Sequence, residues 1–227
     1  MSTTYFADPR PDIQRLVAAN GLRILDVGCG EGALAAALRQ AGATQVAGIE
    51  ASPAAAAAAR ATVDPLLEGD ILDVALPFAP GTFDLLIFGD VLEHLPDPER
   101  ALDRLLPLLA QGGQVIVSVP NMRFYLVLGR LIIDRWAYTD SGVRDRTHLR
   151  IFTRRSLVRM LEAKGLRVER LERNFRLFED QSQIGRAGAL ATRIVSGTIA
   201  PVLFRDLMAY QVIAVARRGA GPDAPPQ

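Results

Sequence analysis

Short runs of aliphatic residues recur along the chain and are separated by segments with helical periodicity. The runs "GLRILDVG", "TQVAGIE", "PLLEGD", "TFDLLIFGD" and "QVIVSVP" predict five strands, the first over about residues 22–27. Few charges interrupt them, which is typical of strands that helices cover on both faces. Strands that alternate with helices at this spacing predict parallel βαβ units.

Capping residues mark the helix boundaries between the strands. Ser52 and Asp97 suit the N-cap position, and in each case a proline follows at the first helical position. Thr153 predicts the N-cap of a later helix. Pro107 is expected to shorten or kink its helix, because proline lacks the backbone N–H. Two glycines predict where helices stop, Gly42 and Gly165.

Two alternating segments near the end of the chain, "LRVERLERN" and "LMAYQVIAVARR", predict late strands, with a helical candidate over about residues 183–204 between them. They lack the strand–helix repeat, so they can pair antiparallel at one edge. The predicted fold is α/β: a Rossmann-like, doubly wound, mostly parallel seven-stranded sheet with an antiparallel edge strand and helices on both faces. One domain is expected over residues 1–218, followed by a disordered tail over residues 219–227.

Composition narrows the class of protein. With 49% hydrophobic and 22% charged residues, the chain has the balance of a globular domain. A net charge of +1 gives no overall field for nucleic acid, and no such partner is expected. The single cysteine, the lack of an apolar signal segment and the lack of an uncharged apolar run of about 18 residues favour a cytoplasmic protein without a disulfide or a spanning helix.

A glycine-rich turn follows the first strand. In "DVGCGEG", Gly28, Gly30 and Gly32 permit a tight turn and the close approach of a ligand, and the helix start that follows favours an anionic group. Cys29 within this turn is expected to be a small buried residue and not a nucleophile. A glycine cluster alone is weak evidence, because it also suits a bare strand-to-helix turn.

Acidic residues at the ends of three further strands strengthen the prediction of a nucleotide site. Glu50 ends the second strand about twenty residues after the glycines, where an acid accepts hydrogen bonds from ribose hydroxyls. Asp70 ends the third strand and can accept from an adenine amino group, with Ile71 beside the ring. Gly89 and Asp90 follow the fourth strand. Open parallel sheets bind ligands at these carboxyl ends.

The ordered motifs "LDVGCGEG", "VAGIEAS", "EGDI" and "FDLLIFGDVLEHLPDP" resemble those of class I S-adenosylmethionine-dependent methyltransferases. An NAD enzyme is disfavoured because the third glycine comes one residue earlier than in a dinucleotide site. With "PN" and "YTDSGVRDRTHLRIFT", the chain resembles a bacterial branch near the ubiquinone-biosynthesis O-methyltransferases and the methionine-biosynthesis W-type proteins, over roughly residues 5–174. The resemblance implies S-adenosylmethionine as cofactor.

The resemblance also implies roles for individual residues around the cofactor. Asp26 and the loop from Gly28 to Gly32, including Cys29 and Gly30, would hold the methionine portion. Glu50, with Ala51 and Ser52 beside it, would bind the ribose. Asp70 and Ile71 would bind the adenine, and Gly89 and Asp90 would lie near the sulfonium.

Two residues near the beginning of the chain are further candidates. Arg10 could reach the cofactor carboxylate, because arginine binds carboxylates in a bidentate manner, and Tyr5 could close over it. A simple surface arm is an equally good reading of both residues.

Methyl transfer to a hydroxyl requires a base, and the chain contains only two histidines, His94 and His148. Both are candidate catalytic residues, with an ordered or structural histidine as the alternative for each. In ubiquinone-type O-methyltransferases an acid-x-x-Glu-His group is associated with a divalent metal. Asp90, Glu93 and His94 match it with a shorter first acid, so a metal is a minor alternative and none is expected.

An insertion over about residues 121–150 is expected to form a lid over the acceptor, in preference to an interfacial helix on a membrane. Its candidate substrate-binding residues offer aromatic walls and polar groups: Tyr125, Trp136, Tyr138, Asp145, Arg146 and Arg150.

The sequence thus predicts an S-adenosylmethionine-dependent methyltransferase that acts on an oxygen of a sugar, a polysaccharide precursor or a small metabolite. An N-methyltransferase and a non-catalytic cofactor-binding partner protein of the W type remain open. The expected partner is a small-molecule or saccharide acceptor, and a homodimer is allowed.

Overall fold

The computed structural model describes residues 7–175 and 202–219, which contain a single seven-stranded sheet. Its strands, in chain order, are β1 (Arg23–Val27), β2 (Gln45–Glu50), β3 (Leu66–Glu68), β4 (Phe83–Gly89), β5 (Leu109–Pro120), β6 (Leu166–Phe175) and β7 (Ala209–Arg218). The α-helices are α1 (Pro11–Gln14), α2 (Ala33–Gln40), α3 (Pro53–Ala59), α4 (Pro98–Leu105), α5 (Tyr125–Ile132), α6 (Arg154–Ala163) and α7 (Val202–Met208).

The order of the strands across the sheet is β3-β2-β1-β4-β5-β7-β6. The pairs β1–β2, β1–β4, β2–β3 and β4–β5 are parallel, whereas β7 runs antiparallel to both β5 and β6. The order reverses at β1, where the chain crosses from β3 to β4, and ligands bind at such a switch point. The predicted doubly wound, mostly parallel sheet is confirmed, with the antiparallel strand β7 placed next to the edge strand β6.

The predicted caps are confirmed. Ser52 Oγ accepts a hydrogen bond from Ala55 N at 3.4 Å, and Asp97 Oδ1 accepts one from Arg100 N at 2.9 Å. Thr153 forms a capping box with Ser156 at the start of α6. The two predicted stop residues follow the last turns of α2 and α6 with positive φ angles, +96° at Gly42 and +75° at Gly165.

Pro107 shortens its helix as predicted. Helix α4 ends at Leu105, and the chain continues as a 3-10 turn over Leu106–Leu108 before β5 begins. A 3-10 turn closes with i→i+3 bonds and tolerates the missing proline N–H near its start. Strand β5 consequently begins earlier than the run "QVIVSVP" suggests, at Leu109.

Each face of the sheet packs against its own layer of helices. One cluster joins β-strand residues such as Leu86 and Val117 to α4 and α6 through Leu102 and Leu161. On the other face, buried residues of α1, α2 and the end of α3 pack against β1, β2 and β4, among them Leu38. Successive strand residues alternate between the two clusters because the side-chain period of a strand is two. The carboxyl edge of the sheet therefore stands between two rigid layers.

The insertion over residues 121–150 contains α5, and its residues Phe124, Val127 and Val143 form a small core with Tyr210 of β7. The predicted helix over residues 183–204 lies largely outside the described residues, and α7 begins at Val202. Residues 220–227 of the predicted tail also lie outside them. Among the described residues, no helix combines the length and the apolar character needed to cross a membrane.

The capping box of α6 supports the end of the insertion, so Thr153→Ala should destabilise the protein. The variant loses one N-cap hydrogen bond, and we expect the free energy of unfolding to fall by about 1 kcal/mol. Urea denaturation followed by circular dichroism measures this change. Arg155→Ala, at an exposed position of the same helix, is the matched control and should change stability by less than about 0.5 kcal/mol. Equal stabilities for both variants would contradict the role of the cap.

Candidate functional site

A cavity of about 560 Å³ opens at the carboxyl edge of the sheet, around the ends of β1, β2 and β4. Residues that were predicted from several separate motifs line it together: Arg10, Asp26, Gly28, Cys29, Gly30, Glu50, Ala51, Ser52, Asp70, Ile71, Gly89, Asp90 and His94. Asp8, Val27, Leu34, Ile49, Gly69, Val91 and Leu95 complete the lining. This volume lies within the usual range for a small-molecule or cofactor site, about 300–1,000 Å³.

Glu50 fixes the glycine turn against the next helix. Its buried carboxylate accepts a hydrogen bond from Gly30 N at 2.8 Å and another from Ser52 N at 2.8 Å. Each oxygen accepts one bond from the protein and retains a second lone pair. The carboxylate can therefore shape the turn and still accept hydrogen bonds from a ligand in the cavity.

The glycines of the turn have different tasks. Gly28 has φ of +69°, and a Cβ added there would lie 2.5 Å from Val91 Cγ2, so only glycine fits. Gly32 does not line the cavity: it begins α2 with φ of +81°, and its Cβ would lie 2.2 Å from Thr62 Oγ1. Close packing therefore accounts for Gly32, and its predicted contact with the cofactor stays a prediction. Burial raises the pKa of the Cys29 thiol, in agreement with a packed and unreactive cysteine.

Asp26 lies near the end of β1, where its carboxyl group is buried. The side chain is 3% exposed, and among the residues that the structure describes its Oδ2 atom has no hydrogen-bond partner. Burial raises the pKa of Asp26 to about 7; Arg10 acts to lower it and Glu50 acts to raise it. A buried carboxylate without a donor is costly, so a cationic donor such as an ammonium group would be bound strongly here.

Arg10 points into the cavity from the left-handed residue that begins α1. It donates from Nη1 to Asp90 at 3.0 Å, and from Nη2 to Asp12 at 3.0 Å and to Ser118 at 2.9 Å. Despite burial, these acids raise the pKa of Arg10 further. Most of its donors are already used, so Arg10 organises this wall of the cavity more than it reaches freely for a ligand carboxylate.

Four polar residues of this wall were not predicted from the sequence: Asp12, Ser118, Asn174 and Gln211. Asp90 also accepts from Ser118 Oγ at 3.0 Å and from Gln211 Nε2 at 2.7 Å. Asn174 donates to Asp12 at 2.7 Å and to Gln211 at 3.2 Å. The sequence offers one signal, a polar residue within an otherwise apolar strand: Ser118 in β5 and Gln211 in β7. Their meeting could not be predicted, because it depends on the pairing of β5 with β7.

At the opposite end of the cavity, Asp70 follows β3 and accepts from Leu72 N at 2.8 Å through Oδ1. This bond holds the side chain in place while Asp70 remains exposed, and Ile71 beside it is buried. Ala51 and Ser52, which also line the cavity, follow β2, the strand between β3 and β1 in the sheet. An exposed acid next to an apolar floor suits a planar ring that carries an amino group.

Two histidines from distant parts of the chain meet beside the cavity. The ring centroids of His94 and His148 are 4.8 Å apart, and both rings lie near Glu93. Burial and the neighbouring His94 lower the pKa of His148, which favours the neutral form of its imidazole. Burial, with Asp90 and Asp145, raises the pKa of Glu93 well above its ordinary value. His148 itself does not line the cavity, whereas His94 does.

The six predicted substrate-binding residues do not line this cavity. Trp136 contacts Tyr138 edge-to-face at 5.9 Å between centroids, and Arg146 pairs with the exposed Asp140 at 2.7 Å. Arg150 donates from Nε to Pro96 O at 3.0 Å, which holds the insertion to the chain after β4. Asp145 is buried and bonded to Thr147, and Tyr125 belongs to α5. Tyr5 lies outside the described residues.

Known proteins similar to this chain agree with the geometry. The family described as "Methyltransferase domain" matches residues 1–171. A ubiquinone biosynthesis O-methyltransferase of Thiobacillus denitrificans is 34% identical over 162 residues, which cover 66% of this chain and 67% of that protein. For the one from Xylella fastidiosa the match is 35% identical over 116 residues, 48% of this chain and 46% of that protein, so the chain spans about half the length of that relative.

Solved structures show the same fold. An S-adenosylmethionine-dependent methyltransferase from Mesorhizobium loti has a TM-score of 0.65 at 20% identity, covering 93% of this chain and 98% of that one. A magnesium protoporphyrin IX methyltransferase from Synechocystis, solved with bound S-adenosylhomocysteine, has a TM-score of 0.61 at 18% identity, covering 92% and 81%. The chain belongs to the methyltransferase domain family and has the class I S-adenosylmethionine-dependent fold that its motifs predicted.

The cavity fits the cofactor that this family implies. The unpartnered Oδ2 of Asp26 suits the ammonium group of a methionine portion, and the free lone pairs of Glu50 suit ribose hydroxyls. The apolar floor beside Asp70 suits adenine.

Asp26 makes cofactor binding pH-dependent. The carboxyl group must ionise to bind an ammonium group, so the affinity for S-adenosylhomocysteine should fall by up to about tenfold per pH unit below 7. The free folded protein holds this proton more tightly than the unfolded chain, whose pKa is near 3.8. Its free energy of unfolding should therefore decrease as the pH rises from about 4 to about 7.

Calorimetric titrations from pH 8 to pH 5.5 measure this dependence. Asp26→Asn should bind more weakly at pH 8 and lose the dependence on pH. Asp84→Asn, on β4 but toward the opposite end of the sheet, is the matched control and should behave like the parent protein. An affinity of the parent protein that does not change with pH would contradict the assignment of Asp26.

Proposed function

We propose that this chain is an enzyme that transfers a methyl group from S-adenosylmethionine to an oxygen atom of a small hydroxyl-bearing acceptor. The cavity is the observation that carries the proposal. The ends of β1, β2 and β3 offer groups there for the ammonium, the ribose and the adenine of the cofactor, respectively. The wall at the methionine end of this arrangement contains His94. An acceptor that enters there meets His94, against which the second histidine of the chain, His148, packs.

S-adenosylmethionine supplies a methyl group on a positively charged sulfur, and its displacement requires the acceptor oxygen, the methyl carbon and the sulfur to be in line. Asp26 and Glu50 fix the position of the cofactor by charge and hydrogen bonds. Gly89 leaves the space beside Arg10 open, because a Cβ there would lie 3.2 Å from Arg10 Nη1. The rigid β-strand ends thus supply most of the alignment.

The proton of the acceptor hydroxyl must leave as the new carbon–oxygen bond forms. His94 lies at the cavity wall, and His148 packs against the ring of His94. This pair of imidazoles is the group that accepts the proton. The Nδ1 atom of each ring faces a backbone carbonyl, that of Thr147 for His94 and that of Val143 for His148. A carbonyl only accepts, so Nδ1 carries the proton and Nε2 is free to act as a base.

The insertion over residues 121–150 is proposed as the lid over the acceptor. Leu149 N and Arg150 N donate to the carbonyl of Glu93 at 2.8 and 2.9 Å, which fixes the end of the insertion beside the two histidines. Among the described residues, the large hydrophobic side chains that stay exposed all lie within or directly after it: Tyr125, Leu131, Ile132, Ile133, Trp136, Tyr138, Leu149 and Ile151.

This surface favours an acceptor with an aromatic or other apolar portion. The relatives whose names specify O-methylation in ubiquinone biosynthesis support transfer to oxygen. A saccharide acceptor stays a prediction that rests on the sequence resemblance alone. A nitrogen acceptor and a non-catalytic binding protein are the alternatives to be separated by experiment.

We expect the purified protein to convert S-adenosylmethionine to S-adenosylhomocysteine in the presence of a phenolic or aliphatic alcohol acceptor from a panel. His94→Ala and His148→Ala should each lower the transfer rate by about 100-fold or more, since a positioned base contributes this much. Mass spectrometry of both products measures transfer, and Lys164→Ala, paired with the exposed Asp103, is the control.

Unchanged rates in both histidine variants would remove histidine from the chemistry. Methylation of amines alone would replace the oxygen acceptor by nitrogen. Tight binding of S-adenosylhomocysteine without transfer to any member of a broad panel would favour the non-catalytic alternative.

A further inference from the structure

We propose that Glu93, His94 and His148 form a binding site for a borderline first-row divalent cation such as Zn²⁺, Co²⁺ or Ni²⁺. One ligand atom from each residue lies within 4.8 Å of the other two. A metal at about 2.0–2.2 Å from each atom would hold them somewhat closer together, within reach of small side-chain rotations. This ligand set differs from the acid-x-x-Glu-His group considered in the sequence, because the third ligand comes from the insertion.

Glu93 supplies the strongest reason for a cation. Its side chain is 1% exposed, and neither Oε1 nor Oε2 has a hydrogen-bond partner within residues 7–175 and 202–219. A buried carboxylate is normally paired, hydrogen-bonded or bound to a metal. No other described side chain meets this need, whereas a cation held together with the two adjacent imidazoles would satisfy it.

The orientation of both imidazoles agrees with metal ligation. His94 Nδ1 lies 3.3 Å from Thr147 O, and His148 Nδ1 lies 3.2 Å from Val143 O. Metal-binding histidines usually donate one ring N–H to a backbone carbonyl or carboxylate, which fixes the ring and leaves the other nitrogen to bind the ion. Both histidines have this supporting contact, and Thr147 is itself held by two bonds to Asp145.

Asp90 is excluded from the ligand set by its own partners. Its carboxylate is held by Arg10, Ser118 and Gln211 at 2.7–3.0 Å, and it does not belong to the cluster of ligand atoms within 4.8 Å of one another. The proposed ligands are two imidazoles and one carboxylate, a set that prefers Zn²⁺, Co²⁺ or Ni²⁺. Mg²⁺ favours oxygen ligands and would bind this set more weakly. The site therefore selects a different class of ion from an all-carboxylate group.

The cation would lie beside the cavity wall at His94, where the acceptor oxygen enters under the proposed function. Bound there, it would lower the pKa of the acceptor hydroxyl, whose proton would leave to solvent water because both imidazoles would be ligands. This role rests on the proposed function, whereas the existence of the site does not. Binding measured with the metal alone therefore tests the site separately from methyl transfer.

The experiment titrates chelator-treated, tag-free full-length protein with Co²⁺ and follows the ligand-field absorption, with calorimetry as a second readout. We expect one ion per chain and a spectrum typical of coordination by four or five ligands. His148→Ala and Glu93→Gln should each weaken binding by about 100-fold or more. Glu99→Gln, at an exposed position of α4, is the matched control and should leave it within about threefold. Asp90→Asn, which changes the first acid of the acid-x-x-Glu-His group, should weaken binding less than His148→Ala does.

Glu93→Gln changes a buried residue, so the affinity of every variant for S-adenosylhomocysteine serves as the folding control. His148→Ala, in which the changed residue lies outside the cavity lining, keeps the test decisive if Glu93→Gln fails to fold. Absence of Co²⁺ binding by the folded protein would overturn the proposal. So would binding that survives in His148→Ala but is lost in Asp90→Asn, or equal competition by Mg²⁺.

Discussion

The carboxylate of Glu50 lies buried at the end of β2 and accepts two backbone hydrogen bonds, one from the glycine turn after β1 and one from the start of α3. The parallel register of β1 and β2, in which Val27 lies opposite Ile49, brings these two turns to the same edge of the sheet. Without this contact the turn would lose the anchor that holds its N–H groups toward the cavity. The position of every other cofactor-binding group depends on that edge being fixed.

A second polar network holds the methionine side of the same edge. Arg10 joins α1 to Asp90 and Ser118, so residues from the beginning and the middle of the chain become one wall. Asp26 lines the same cavity, and one of its oxygens has no hydrogen-bond partner in the described part of the chain. Such a carboxylate is costly in the free protein and favourable once a cation is bound, which ties the stability of the site to its ligand.

Much of the fold and of the cofactor side could be predicted because the signals are local. Buried strands appear as uncharged aliphatic runs, and caps such as Ser52 and Thr153 carry their own hydrogen bonds. The topology of a parallel sheet then brings the strand ends together without further information, so Glu50 and Asp70 could be placed at one cavity from their positions in the chain.

The acceptor side could not be predicted in the same way, because it depends on contacts across more than fifty residues. The meeting of His94 with His148 follows from the backbone bonds between Glu93 and the end of the insertion, which leave no periodic signal. Likewise, the hydrogen bond from Gln211 to Asp90 depends on the pairing of β5 with β7. The predicted aromatic and arginine residues of the insertion were chosen by chemical type alone, and they lie outside the cavity.

The most direct measurement is a crystal structure of the protein with S-adenosylhomocysteine. The account predicts the ammonium group at Asp26, the ribose at Glu50, the adenine beside Ile71, and the sulfur turned toward the wall that contains His94. A ligand bound outside this cavity, or bound with its sulfur directed away from His94, would contradict it.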